Sequence, residues 1–317
     1  MQKTVLLLTL VLVGPGALGQ DTPKAPRPPK PFMTQLKETV VVIKLVCQVG
    51  QSLVPYQGTG FFVQVESEKQ GYAVPYLVTN RHVAECWDHR GHPLEVKSVG
   101  IRVNLLDGSS KIETLNDKGN AAWVLPSSET VDLAVLPLGL KSDKADWMSI
   151  PASGFATDDM FAKGQIHEGQ NIIFTGFFPK IEGIQRTQPI VREGIISSLA
   201  NEPLISIKDG GPPAKLYLGD VHVLAGNSGS PVMVDLAGHQ GGAIIAGEAY
   251  RLIGVVNGYL TEDEDMSLKL ENTVQATASA NSGITTIVPV ADLRALLNDE
   301  RLLKQRAAQA SKLMPAK

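Results

Sequence analysis

The chain has 317 residues, 43% of them apolar and 5% aromatic, with a net charge of −3 and two cysteines. It is too apolar and too evenly charged for a disordered chain, and it lacks the basic excess with which a general nucleic-acid binder neutralises phosphates. Two cysteines build neither a disulfide framework nor a four-cysteine zinc site, and about 300 residues suffice for two domains of ~100–150 residues each.

Residues 1–19 place Lys3 ahead of an apolar run over 4–13, break at Gly14-Pro15-Gly16 and end on the small residues Ala17 and Gly19. That is the layout of a cleaved export signal. The run is too short to cross ~30 Å of hydrocarbon as a stable helix, and an uncleaved anchor is the alternative reading. Elsewhere no stretch of about eighteen residues is apolar enough to span a membrane. Residues 20–37 form a Pro-rich tail, basic and extended over 21–32.

Short β-branched runs then follow, separated by turn residues. Strands are predicted over 39–49, 59–65, 72–79, 99–106 and 131–138, with a short helical turn after His82. They belong to a first half, residues 38–145, and the polar segment from about 140 to 165 divides it from a second. The second half, residues 146–308, has predicted strands over 170–177, 190–197, 215–225, 231–234, 250–259 and 284–288. An acidic excursion at 261–281, beginning Thr261-Glu262-Asp263, is expected to project as a mobile surface loop. Leucines at 293, 296, 297, 302 and 303 among Ala, Arg and Glu predict a helix over 290–308, with a tail at 309–317. So little helix between so many short strands argues for an all-β protein and against a parallel βαβ sheet.

Three segments carry chemistry. In Tyr76-Leu77-Val78-Thr79-Asn80-Arg81-His82-Val83, a histidine sits just past an apolar strand. In Val131-Asp132-Leu133-Ala134-Val135-Leu136, a carboxylate opens one; burying it unpaired would be costly. In Gly226-Asn227-Ser228-Gly229-Ser230-Pro231, two glycines flank a serine. Acyl transfer needs these groups. A serine hydroxyl is a weak nucleophile at neutral pH and needs a base on its proton, which an imidazole supplies. A carboxylate fixes the imidazole tautomer, and backbone N–H groups must face the developing oxyanion.

Chain order narrows the choice. The order His82, Asp132, Ser228 is the chymotrypsin order. The subtilisin order needs an acid ahead of the histidine, where only Asp21 and three glutamates stand. The α/β-hydrolase order needs a histidine after the serine, where only His239 stands, and Ser230 occupies the last glycine position of that family's elbow. Asp143 and Asp146 are rival acids, but they lie in a polar stretch without a strand. His89, His92, His167 and His239 show no metal-like pairing and read as surface or loop residues.

With these residues in hand, the sequence resembles the trypsin-like serine peptidases, and among them the secreted bacterial branch that includes the high-temperature-requirement and glutamyl endopeptidases. The matching pieces are GTGFFV at 58–63, LVTNRHV at 77–83, DLAVLPL at 132–138, GNSGSPV at 226–232, IGVVNG at 253–258 and GITTIVPVADLRALL at 283–297. They run in family order over roughly 38–300. The resemblance implies two packed six-stranded antiparallel β-barrels with the site in the cleft between them, and a C-terminal helix. It implies His82, Asp132 and Ser228 as catalytic triad and the amides of Gly226 and Ser228 as oxyanion hole. The strand with Val255, Val256 and Asn257 would bind the substrate backbone, and His222 would line the specificity pocket.

The departures also carry expectations. Asn227 stands where animal digestive members have an aspartate, and no Ile-Val-Gly-Gly start exists, so no N-terminal insertion switch is expected. Too few residues follow position 300 for the PDZ domain of the high-temperature-requirement proteases. The strand at 254–258 lacks the histidine of glutamyl endopeptidases, so a preference for glutamate is not supported. Export permits a disulfide between Cys47 and Cys86, against two separate buried thiols. The expectation is an exported, periplasmic or extracellular, serine endopeptidase acting on polypeptides, without metal or other cofactor and without nucleic acid. The rivals are a non-catalytic trypsin-fold protein that binds peptides or scaffolds an envelope complex, and an esterase using the same triad.

Overall fold

The first predicted strand reads Val-Val-Val-Ile without a polar break, a pattern that fits a strand buried on both faces. In the computed structural model, Val40 and Val42 pack into one core, while Val41, Ile43, Leu45 and Cys47 pack into another. The next strands divide the same way. Phe61, Val63, Tyr76 and Val78 face the first core; Phe62 and Leu77 face the second. One face of this sheet therefore encloses its own core, and the other packs against the second half of the chain.

The structure describes residues 30–67, 72–88, 92–116, 123–140, 144–204, 212–240, 243–245, 249–269 and 273–313. The expected export signal and residues 20–29 of the expected tail lie outside them, as do His89, Asp143 and residues 314–317.

The first half is an eight-stranded sheet. Its main path runs Cys86–Trp87, Pro93–Asn104, Val40–Val49, Ser52–Glu66, Ala73–Thr79, Ala134–Pro137. Ser110–Asn116 pairs on Pro93–Asn104, and Ile150–Pro151 runs parallel to Ser52–Glu66. The second half is a closed six-stranded barrel of Ile190–Leu199, Tyr217–Asp220, Thr273–Pro289, Tyr250–Lys269, Pro231–Asp235 and Asn171–Gly176. The molecule is thus mostly β, with a closed barrel beside a second sheet and helix at its C-terminal end. In the first half, among the described residues, only an isolated bridge, Val124 to Val135, continues the main path beyond Ala134–Pro137. There the chain leaves regular pairing ahead of Ala134 to carry Asp132.

Three elements differ from expectation. Phe32–Glu38, placed in the tail by its prolines, is a helix. Its Phe32 ring stacks on Tyr250, centroids 4.2 Å apart and planes 6° apart, and Leu36 is fully buried. Pro31 sits at the helix entry, where its fixed φ suits the turn. The acidic excursion is no loop: Tyr250–Lys269 and Thr273–Pro289 form one long antiparallel hairpin. The C-terminal helix is two, Val290–Leu297 and Glu300–Leu313. Asp299 separates them and caps the second by accepting the Arg301 amide, 2.9 Å. That helix returns to the first half, where the buried Arg306 donates to the Tyr76 hydroxyl (3.0 Å) and to Leu297 O (2.7 Å). No helix of the described residues is long and apolar enough to cross a membrane.

Candidate active site

The strand Ala73–Thr79 ends on buried Thr79 and Asn80, and Asn80 starts the one-turn helix Arg81–Ala84. That turn anchors Val83 and Ala84 in the protein and leaves the His82 side chain 34% exposed. His82 meets Asp132 twice. Its ring Nδ1 lies 2.5 Å from Asp132 Oδ2, and its backbone N–H donates to Oδ1 at 3.0 Å. A carboxylate accepts at both contacts, so Nδ1 carries the ring proton and Nε2 is left as the acceptor. Asn80 Nδ2 donates to Asp132 O, 2.9 Å. Its buried Oδ1 has no hydrogen-bond partner among the described residues.

The serine lies in a loop whose peptide planes are fixed one after another. The Asn227 amide donates to Leu224 O (3.0 Å), the Ser230 amide to Asn227 O (3.1 Å), and the Gly229 amide to Val256 O (2.9 Å). The buried Asn227 side chain adds two bonds, accepting the Leu224 amide and donating to Phe177 O, each 2.9 Å. Gly226 and Gly229 adopt φ of +94° and +88°. At Gly229 a Cβ would also drive into the Thr59 carbonyl, so both the backbone conformation and the close approach demand glycine there. Among the described residues the Gly226 and Ser228 amides have no protein acceptor.

The two segments meet at consecutive residues of the strand Ser52–Glu66. Gly58 lies under Val83, whose Cγ1 stands 2.6 Å from where a Gly58 Cβ would be. The amide of Thr59 donates to Ser228 O at 2.9 Å. A strand advances only ~3.3 Å per residue, so the histidine turn and the serine loop are held side by side, although 146 positions separate His82 from Ser228. The Ser228 hydroxyl donates to Asn257 O, 3.1 Å. A hydrogen bond from it to His82 is not among those the described residues form.

The remaining predicted site residues fall as follows. Asn257 stands at an irregularity in the long hairpin, where the register shifts between Val256 and Gly258. Val255 and Val256 have buried side chains, Val255 is laddered on both sides, and the Val256 amide and carbonyl are taken by Ser230 and Gly229. Barrel closure uses this stretch as an interior strand, and pairing with Pro231–Asp235 stops at Val255. His222 is exposed. Cys47 and Cys86 are joined by a disulfide, their Cα atoms 5.9 Å apart. Asp146 pairs with Arg186 (2.7 Å) and Lys30 (3.6 Å), which removes it as a rival to Asp132.

Sequence reading passed over Thr59, Thr79, Asn80 and Asn227 as site components. Each lies inside one of the matching segments, and each is buried and polar. Thr59 bonds across the two halves, Thr79 and Asn80 bond within the first and Asn227 within the second, all to partners that spacing along the chain does not reveal.

Fold and site together define a class: a barrel-containing, mostly β protein with an imidazole–carboxylate pair beside a glycine-flanked serine. Residues 58–242, more than half of the chain, match the model of the trypsin-like peptidase domain, and the chain belongs to that family. Among solved structures it is similar to the HtrA-type protease AlgW with a tripeptide, at 19% identity, covering 81% of this chain and 58% of that one, with a TM-score of 0.45. It is also similar to Deg5 (16% identity, 83% and 88% covered, TM-score 0.46) and to the active form of the Rv3671c protease from M. tuberculosis (17%, 89% and 93%, 0.45). No curated protein matches the sequence.

Proposed function

We propose that this chain is an exported serine endopeptidase that cleaves polypeptides through a Ser228 acyl-enzyme. The observation that carries the reading is the double contact of Asp132 with His82, beside a serine loop whose neighbouring amides remain free to donate. The Ser228 hydroxyl turns from Asn257 O toward His82 Nε2 and gives up its proton as Oγ attacks the scissile carbonyl. The amides of Gly226 and Ser228 receive the negative charge that develops on the carbonyl oxygen. His82 passes the proton to the leaving amine, Asp132 stabilises the transient imidazolium, and water, activated by His82, releases the acyl group. The edge from Asn257 onward takes the substrate as an added strand. Export is supported by the signal-like layout of 1–19 and by the Cys47–Cys86 disulfide, a bond characteristic of oxidising compartments.

The Ser228→Ala variant is expected to keep the parent's melting temperature within about 2 °C and to lose peptide hydrolysis and fluorophosphonate labelling. Equal cleavage by variant and parent would refute the mechanism. One observation favours a non-catalytic peptide-binding or scaffolding role instead: the Ser228 hydroxyl is bonded to Asn257 O. Well-folded parent that resists the fluorophosphonate would decide for that second reading.

A further inference from the structure

Thr59 is fully buried, and each of its polar atoms is hydrogen-bonded, the amide and hydroxyl across to the second half and the carbonyl within the first. Its amide donates to Ser228 O (2.9 Å). Its hydroxyl donates to Gly226 O (2.8 Å) and accepts the Phe177 amide (3.1 Å). Its carbonyl accepts the Thr79 hydroxyl (2.7 Å). We infer that Thr59 is a positioning residue for the nucleophile: it sets the Ser228 loop in register with the His82–Asp132 pair. The inference rests on the protease reading above.

The peptide planes explain why. Thr59 holds the carbonyl of Gly226 and the carbonyl of Ser228, which lie on either side of the peptide bearing the Ser228 N–H. With those two planes fixed, and Asn227 O held by the Ser230 amide, the Ser228 N–H and Cα–Cβ directions have little freedom left. The other end of the relay reaches the acid and base. Thr79, bonded to the Thr59 carbonyl, is followed by Asn80, which donates to Asp132 O, and two residues later by His82. Losing the Thr59 hydroxyl would also take away the partner of the Gly226 carbonyl and of the amide of buried Phe177. The loop would then shift to find other partners.

The test uses the mature full chain with Thr59→Val, which keeps the shape and deletes the hydroxyl, and Thr59→Ser, which restores it. A displacement near 1 Å at the reacting atoms costs on the order of 10²-fold. Thr59→Val is therefore expected to lower kcat about 10²-fold while KM changes less than about threefold, and Thr59→Ser to recover kcat to within about fivefold of the parent. Hydrogen exchange supplies a readout independent of activity: amides of 224–230 should exchange faster in Thr59→Val, with the rest of the barrel unchanged. Unchanged kcat with unchanged exchange would overturn the inference, as would a loss shared equally by Thr59→Ser. Should Thr59→Val fail to fold, Thr79→Val, which removes only the bond to the Thr59 carbonyl, takes its place; parent-like kcat and exchange there overturn the relay. If the parent itself neither cleaves peptides nor labels at Ser228, the protease reading fails, and the exchange data still decide whether Thr59 holds the loop.

Discussion

The Asp132 carboxylate accepts from one residue at two places, the ring and the main chain of His82. That arrangement makes the effect of an amide at 132 calculable. In Asp132→Asn the backbone N–H of His82 can only donate, so it selects the amide oxygen. The amide nitrogen must then face ring Nδ1 and donate to it. Nδ1 loses its proton, Nε2 gains one, and the face presented to Ser228 becomes a donor that cannot accept the hydroxyl proton. The expected result is a fall in kcat of ~10³–10⁴ with the fold intact. A kcat measurement beside a thermal melt checks it, and a variant with half the parent's kcat would contradict the tautomer argument. At this scale the reactive groups were legible because their chemistry forces a pattern: a histidine past a strand end, a carboxylate opening one, a serine between glycines. Thr59 and Asn80 were not, because a threonine in a strand and an asparagine at a turn are common and acquire a role only through distant partners: Gly226, Ser228 and Phe177 for Thr59, Asp132 for Asn80.

Among the elements, strands were easier to anticipate than helices. Runs such as 40–43 and 231–234 are apolar on both faces and short, and each is a strand. The helix Phe32–Glu38 was hidden by the prolines before it, which favour an extended chain up to Pro31 and then provide the entry turn. What holds it is distant in sequence: Phe32 against Tyr250 and Leu36 in the shared core. Phe32→Ala should cost about 3–5 kcal/mol, read as a lower denaturant midpoint; a cost below about 1 kcal/mol would mean that the helix docks without being needed. The hairpin over 250–289 was misjudged for a related reason. Its acidic residues are poor strand formers, but each arm extends a barrel strand, and after register shifts at Val256/Gly258 and Tyr259/Thr261 the pairing continues past the point where the residues alone would sustain it.

For the molecule as a whole, the junction between the halves is polar as well as apolar. Glu182, from the second half, takes Arg102 Nη1 at 2.6 Å and Lys44 Nζ at 3.1 Å from two strands of the first. Asn104 and Thr187 bond reciprocally next to it, at 2.9 and 3.0 Å. Burial pushes the Glu182 carboxyl up, but the hydrogen bonds and charges of Arg102 and Lys44 outweigh it and hold it below its ordinary 4.5. A group depressed on folding contributes stability that is complete above its unfolded value and is lost as pH falls through its folded value. The parent should therefore exceed Glu182→Gln in stability by about 1–3 kcal/mol near neutral pH. The gap should start to narrow as pH drops toward 4.5 and close below the folded value. Denaturant midpoints taken across that range measure it, and a gap independent of pH would show that the carboxylate charge is not what joins the halves.

Most strand segments, the family and the candidates for base, acid and nucleophile followed from the order of residues alone, because local periodicity and reactive side chains are properties of short segments. The closed ring of ladders in the second half against the open path in the first, the docking of the 32–38 helix and the partner of the Ser228 hydroxyl came only with the tertiary structure. So did the choice of Thr59 as the joint between nucleophile and base. Each is a contact between segments tens to hundreds of positions apart, and its energy depends on distances that no local pattern encodes.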